Sequence, residues 1–205
     1  MARSRPALLT VALSAAAVVG YLGYRAIQSR SPAAEEAAEA PAPEATLVEA
    51  LPEFALGNLA GESQSIRSWP GKPLVINFWA TWCGPCLREI PMLKELQTAR
   101  PDVQVVGIAI DKRDAVVEFA GRTDFNYAIL VGDSQSEAWA AAGALGVSIY
   151  ALPFTVFTAA DGSVLGVHTG ELHAEHLDRF RTIVDELKGG KITLQAARQR
   201  LTEPI

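Results

Sequence analysis

One segment constrains this chain more than any other. Leu74–Ala80 reads LVINFWA, a nearly continuous apolar run, and Cys83-Gly84-Pro85-Cys86 follows after two residues. A run of this kind reads as a strand buried on both faces. The stretch from Cys86 to about Ala99 sets Ile90, Leu93 and Leu96 on one helical stripe, with Pro91 predicting a kink. The cysteine pair therefore sits at a strand-to-helix junction. These are the only two cysteines among 205 residues, too few for a disulfide-stapled scaffold or a four-thiolate zinc site. Two intervening residues allow the first helical turn to bring the sulfurs within bonding range. Cys83 falls at the helix N-terminus, where free N–H groups and the macrodipole stabilise a thiolate. That makes Cys83 the expected nucleophile and Cys86, one turn in and more buried, the resolving thiol. Pro85 needs no donor in a first turn. A purely structural disulfide would close a loop too short to constrain the unfolded chain, and zinc would need two further ligands.

The rest of the chain can be read around that junction. Phe54–Leu56 and Ser63–Ile66 flank Gly57-Asn58 and Gly61, which suits a hairpin, and Trp69–Pro73 is a turn cluster. Val103–Ile110 and Tyr127–Val131 read as strands. Asp114–Thr123 and Gln135–Ala142 read as helices. Phe154–Thr158 and Val164–Val167 form a second hairpin around Ala160-Asp161-Gly162, and Ala174–Lys188 is an amphipathic helix. Ile192–Leu201 reads as a final short helix. The alternation predicts an α/β sandwich with a mainly parallel sheet and one antiparallel edge.

Residues 77–86, NFWATWCGPC, and the layout from about residue 49 to 188 resemble thioredoxin-like proteins. The resemblance is nearer to the membrane-anchored thiol–disulfide oxidoreductases of the TlpA/ResA group. It implies a thioredoxin-like fold with a helix–strand insertion near residues 113–131. It also implies a periplasm-facing dithiol that reduces disulfides in partner proteins, with no cofactor beyond the Cys83–Cys86 disulfide and no metal. The implied partners are apocytochrome c, or copper-centre proteins and their chaperones, with a membrane thiol protein as electron donor. By the same resemblance the Leu152–Pro153 bond is expected to be cis. Trp82, Gly84, Pro85, Leu152 and Pro153 would then line a groove where a substrate backbone pairs.

Glu89 lies three residues after Cys86, on the same helical face. Spacing alone leaves it open whether it is a solvated side chain or a proton acceptor. The resemblance favours the second, because Arg88-Glu89-Ile90-Pro91 matches the group's active-site glutamate. Ordinary thioredoxins carry a buried Asp where this chain has Asn77, which cannot titrate and is expected to satisfy local hydrogen bonds. Trp79 shares a strand face with Asn77 and is expected in the core. His173 and His176, at i and i+3, are expected to be exposed helix residues rather than metal ligands.

Two other functions compete. A thiol peroxidase would carry P-x-x-x-T-x-x-C, but Ile76 stands seven residues before Cys83 and Thr81 only two before it. A copper(I)-handling module could use the two thiolates without turnover, yet no Met-rich or His-rich tract supports it.

The N-terminal part has a different character. Ala7–Tyr24 holds 18 residues without a charge, preceded by Arg3 and Arg5 and followed by Arg25 and Arg30. As a helix it would span roughly 27 Å, close to a hydrocarbon core. The expected organisation is a cytoplasmic N-terminus at 1–6, a transmembrane anchor at 7–28 and an Ala/Pro/Glu-rich linker at 29–48. A thioredoxin-like domain at 49–190 and a C-terminal tail at 191–205 follow. A cleaved signal peptide ending near Ala15-Ala16-Ala17 is the alternative. The expected location is the bacterial inner membrane, single-pass, with the catalytic domain facing the periplasm. Residues 1–30 carry four Arg and no acid, so the overall charge of −5 conceals a charge of −9 over 31–205. An acidic domain of this kind is not expected to bind nucleic acid.

Overall fold

A computed structural model describes Tyr21, Tyr24 and residues 47–148 and 151–203. The expected N-terminal segment, the anchor apart from Tyr21 and Tyr24, and most of the linker lie outside the described residues. Tyr21 and Tyr24 are helical and exposed. Among the described residues no helix is long and apolar enough to cross a membrane.

The domain from Leu47 onward opens with the predicted hairpin, β1 (Ala55–Asn58) and β2 (Ser63–Ser65), paired antiparallel. The apolar run forms β3 (Leu74–Trp79), every residue of it buried, and leads into α1 (Gly84–Ala99). Then come β4 (Gln104–Ala109), α2 (Arg113–Thr123), β5 (Ala128–Val131) and α3 (Gln135–Ala144). The chain ends with β6 (Phe154–Thr158), β7 (Val164–Thr169), α4 (Ala174–Lys188) and α5 (Leu194–Thr202). The helix and strand implied near residues 113–131 are α2 and β5. Helix α1 runs on through Pro91.

The seven strands among the described residues form one sheet in the order β2-β1-β5-β4-β3-β6-β7. The sheet is mixed, as a thioredoxin-like fold implies, but it is not mainly parallel with one antiparallel edge as expected. Only β3, β4 and β5 run parallel, joined by the α1 and α2 crossovers. Both flanks are antiparallel, because β1 pairs with β5 on one side and β6 with β3 on the other. A strand–helix alternation reports crossovers, and it is silent about which way a strand arriving from a long connection will run.

Alternation along β3 divides the core between the two faces of the sheet. Val75 and Trp79 point to the face packed by α1, α2 and α4, where they meet Leu93, Val116, Phe157, Phe180 and Ile183. Ile76 and Phe78 point to the other face, where Phe78 stacks on Phe154 at 4.4 Å between centroids and α3 supplies Ala138, Ala141 and Ala142. Helix α5 is no loose tail. It packs on edge strand β7, where Arg198 donates to the Val164 carbonyl at 2.8 Å and Gly166 lets Leu201 approach closely.

Candidate active site

The cysteines lie where β3 hands over to α1. Cys83 is the N-cap of α1, and its Sγ accepts a hydrogen bond from the Cys86 N–H at 3.3 Å. The two sulfurs form a disulfide, with Cα atoms 5.3 Å apart. Cys86 is fully buried and Cys83 is 5 % exposed. Gly84 and Pro85 open the helix, so proline falls where no intrahelical donor is needed. Trp82, immediately before Cys83, is 66 % exposed, an unusual position for so large an apolar ring. Trp79 is buried in the core, against Phe119 and Phe125.

The loop between β3 and Cys83 is braced from β4. Asp111, just beyond β4 and 6 % exposed, accepts from the Thr81 N–H at 3.0 Å, from the Thr81 hydroxyl at 2.5 Å and from the Lys112 N–H at 2.7 Å. The Ile110 N–H donates to the Trp79 carbonyl at 2.8 Å, carrying the β3–β4 pairing to the last residue before that loop. These bonds fix the path of the chain into the motif.

Glu89 is 1 % exposed, one turn of α1 beyond Cys86. A carboxyl in such a place needs partners, and it has two. Asn77 of β3 donates its side-chain N–H to Oε2 at 2.8 Å, and the Leu172 backbone N–H donates to Oε1. Asn77 also donates to the Thr155 hydroxyl at 3.0 Å, so β3, β6 and α1 share one polar cluster. Burial pushes the Glu89 carboxyl up to about 7, against the opposing pull of the Leu172 and Asn77 donors. Tyr127 is raised as well, first by its own burial and then by the charge of Glu89. Glu89 is therefore a buried acid poised to change protonation near neutral pH.

The Leu152–Pro153 bond is cis. Pro153 immediately precedes β6, whose Phe154 pairs with Phe78 near the end of β3 that leads to the cysteines. The Pro153 carbonyl accepts from Gly170 N–H at 2.9 Å, tying this turn to the loop that carries Leu172. Topology thus brings Cys83, Gly84, Pro85 and Pro153 to one end of the sheet, with Trp82 beside them.

Sequence reasoning did not reach Thr155, Leu172, Asp111 or the direct Asn77–Glu89 bond. The absence of a titrating residue at 77 carried a signal, because an amide there is free to donate to a carboxylate one helix away. His173 is exposed but caps α4 rather than lying within it, and His176, expected to be exposed, is half-buried, its Nδ1 accepting from the His173 N–H at 3.0 Å. The His176 ring also lies 4.0 Å from that of His168, a contact the sequence did not suggest. Among the described residues no group of three or more His, Cys, Asp or Glu could hold a metal ion.

A disulfide capping a helix at the end of a buried strand, on a mixed sheet layered by helices, defines a thiol–disulfide oxidoreductase of thioredoxin-like fold. Comparison with known proteins narrows this. The family model described as Redoxin matches residues 38–184, and the chain belongs to that family. The "Thioredoxin-like protein YneN" of Bacillus subtilis is 27% identical over 167 residues, covering 79% of this chain and 89% of its own length. The "Thiol-disulfide oxidoreductase ResA" of Geobacillus kaustophilus is 30% identical over 131 residues, covering 62% and 72%. Among solved structures, a thiol:disulfide interchange protein of Chlorobium tepidum superposes with a TM-score of 0.57 at 28% identity, covering 68% of this chain and 97% of its own. The resemblance to the TlpA/ResA group holds: this is a protein-disulfide oxidoreductase of thioredoxin-like fold.

Proposed function

We propose that the chain is a membrane-tethered reductase of protein disulfides, working on the periplasmic side of the bacterial inner membrane. The observation that carries the chemistry is Cys83 at the N-cap of α1 with the Cys86 N–H directed at its sulfur. In the reduced protein that donor and the helix dipole stabilise a Cys83 thiolate. The thiolate attacks one sulfur of a partner disulfide. An S–S bond forms to the partner, the partner's own S–S bond breaks, and its other sulfur leaves as a thiolate. Cys86 then loses its proton and attacks Cys83. The mixed disulfide breaks, the second partner thiolate leaves, and the Cys83–Cys86 disulfide forms. Two electrons have passed to the partner, and a membrane thiol protein restores them.

Glu89 is the group we assign to the Cys86 proton. It sits one turn further along the same helix and is held near 7, so it can take a proton and give it back at neutral pH. Trp82 offers the partner an apolar contact, and Leu152 and Pro153 border the groove for its backbone. Gly84-Pro85 between the cysteines resembles the thioredoxin dipeptide and supports electron flow toward the partner. The apolar span Ala7–Tyr24 and the acidic remainder support a tether from which the domain swings clear of an anionic bilayer. Apocytochrome c, or copper-centre proteins and their chaperones, are the partners this reading favours.

Equilibration of the full-length chain with redox buffers tests the direction. The reading predicts a potential on the reducing side, nearer thioredoxin's roughly −270 mV. A value near about −120 mV, typical of a strong oxidant, overturns it.

A further inference from the structure

Residues 170–173, between β7 and α4, touch the site at three points. The Gly170 N–H donates to the Pro153 carbonyl at 2.9 Å, and the Leu172 N–H donates to Glu89. Between them, the Glu171 carboxylate receives both forks of the Arg88 guanidinium, Nε at 2.8 Å and Nη2 at 2.5 Å. Arg88 is the residue before Glu89 on α1. The arginine therefore ties down the loop whose next backbone N–H reaches the neighbouring glutamate. Leu172 is 2 % exposed, so its side chain anchors the loop in the core. An apolar anchor fixes position but not the direction of an N–H. A bidentate guanidinium–carboxylate pair does fix direction, because its two parallel bonds set the orientation of both partners.

We propose that Arg88 and Glu171 are a positioning pair: their bridge clamps this loop onto α1 and keeps the Leu172 N–H on the Glu89 carboxylate. The proposal rests on the assignment of Glu89 as the proton-handling group, and deepens it. Among the described residues, the charges acting on Glu89 are those of Arg88 on α1 and Glu171 in the loop, and Tyr127 before β5 in turn feels the charge of Glu89. Cys86 precedes it by one turn. His168, which contacts the Glu171 carbonyl at 3.2 Å, and His173 and His176 border the loop.

Electrostatics without a clamp makes different predictions. The Arg88 charge lowers Glu89 and the Glu171 charge raises it, while the Leu172 hydrogen bond lowers it more than either charge acts. If only charge matters, Arg88→Lys leaves Glu89 where it is and Glu171→Gln lowers it. If the bridge positions the N–H, both variants weaken that bond, and both raise Glu89.

The test uses the oxidised full-length chain, in which neither cysteine titrates. Carboxyl carbons of labelled glutamate are followed by NMR against pH, with Glu89 identified by the signal lost in Glu89→Gln. Arg88→Lys is expected to move the Glu89 midpoint upward by roughly half to one pH unit, and Glu171→Gln upward by less, because it also removes a charge that raises Glu89. No shift in Arg88→Lys together with a downward shift in Glu171→Gln overturns the clamp. Arg88 is largely exposed, so its lysine variant has a solvated side chain and no core to disturb. The parent assignment is judged separately, by comparing pH profiles of reaction with a small disulfide in the wild type and Glu89→Gln. Identical profiles sink the role of Glu89 whatever the midpoints do.

Discussion

Glu89→Gln gives the sharpest test of the polar cluster. In the folded chain the carboxyl is pushed up to about 7 by burial, while in the unfolded chain it returns to an ordinary value near 4.5. Between those values the folded state holds a proton that the unfolded state has released. Stability therefore falls as pH rises through this window, and is level above it. The gap of about 2.5 pH units, at roughly 1.4 kcal/mol per unit, corresponds to about 3 kcal/mol. Glutamine has no proton to lose. It keeps an oxygen for the Leu172 N–H, and Asn77 can turn its amide to meet the new side chain. Urea unfolding of oxidised wild type and variant from pH 4.5 to 8.5 yields the difference curve, in which other groups cancel. The variant is expected to gain on the wild type by about 3 kcal/mol between pH 4.5 and 8. Parallel curves, or a wild type that gains with pH, would refute the view of Glu89 as a buried acid held protonated by its surroundings.

Other consequences follow from the same geometry. Asp111→Ala strands the Thr81 N–H and hydroxyl and the Lys112 N–H, and should cost roughly 2–4 kcal/mol in thermal or urea unfolding. Asp111→Asn, which keeps an acceptor, should cost less. A Cβ at Gly107 would come within 2.8 Å of Ile129 and 3.0 Å of Trp79 Nε1, so Gly107→Val should lose roughly 1–3 kcal/mol by overpacking. Trp82→Ala removes an exposed ring beside Cys83. It should raise KM for a protein disulfide about tenfold while leaving reaction with a small-molecule disulfide nearly unchanged, since such a probe needs no docking surface.

The parts of this molecule that read from sequence are those set by neighbours along the chain. Leu74–Trp79 is a strand and Gly84–Ala99 a helix because their apolar spacing is local. The relation of Cys83 to Cys86 is local too, being fixed by one helical turn. What stayed hidden depends on distant partners. Glu89 meets Leu172 across 83 residues, through a backbone N–H that has no side-chain signature. Asn77 looked like a departure from a familiar pattern, yet its amide is the donor that a buried carboxylate on α1 needs. The antiparallel entry of β6 beside β3 depends on where the chain returns after α3, and a short, wholly buried run such as Phe154–Thr158 fits a sheet in either direction. The alternation did put Asn77 and Trp79 on one strand face, but that this is the face packed by α1 is visible only in the fold.

The central claim is that Cys83 attacks and Cys86 resolves. It is tested most directly by expressing full-length Cys86→Ser and Cys83→Ser in their native host and separating disulfide-linked adducts on non-reducing gels. Cys86→Ser should accumulate mixed disulfides through Cys83 that a reductant releases, because the resolving thiol is gone, and Cys83→Ser should accumulate few. Adducts that build up on Cys83→Ser instead, or on neither variant, would contradict the account.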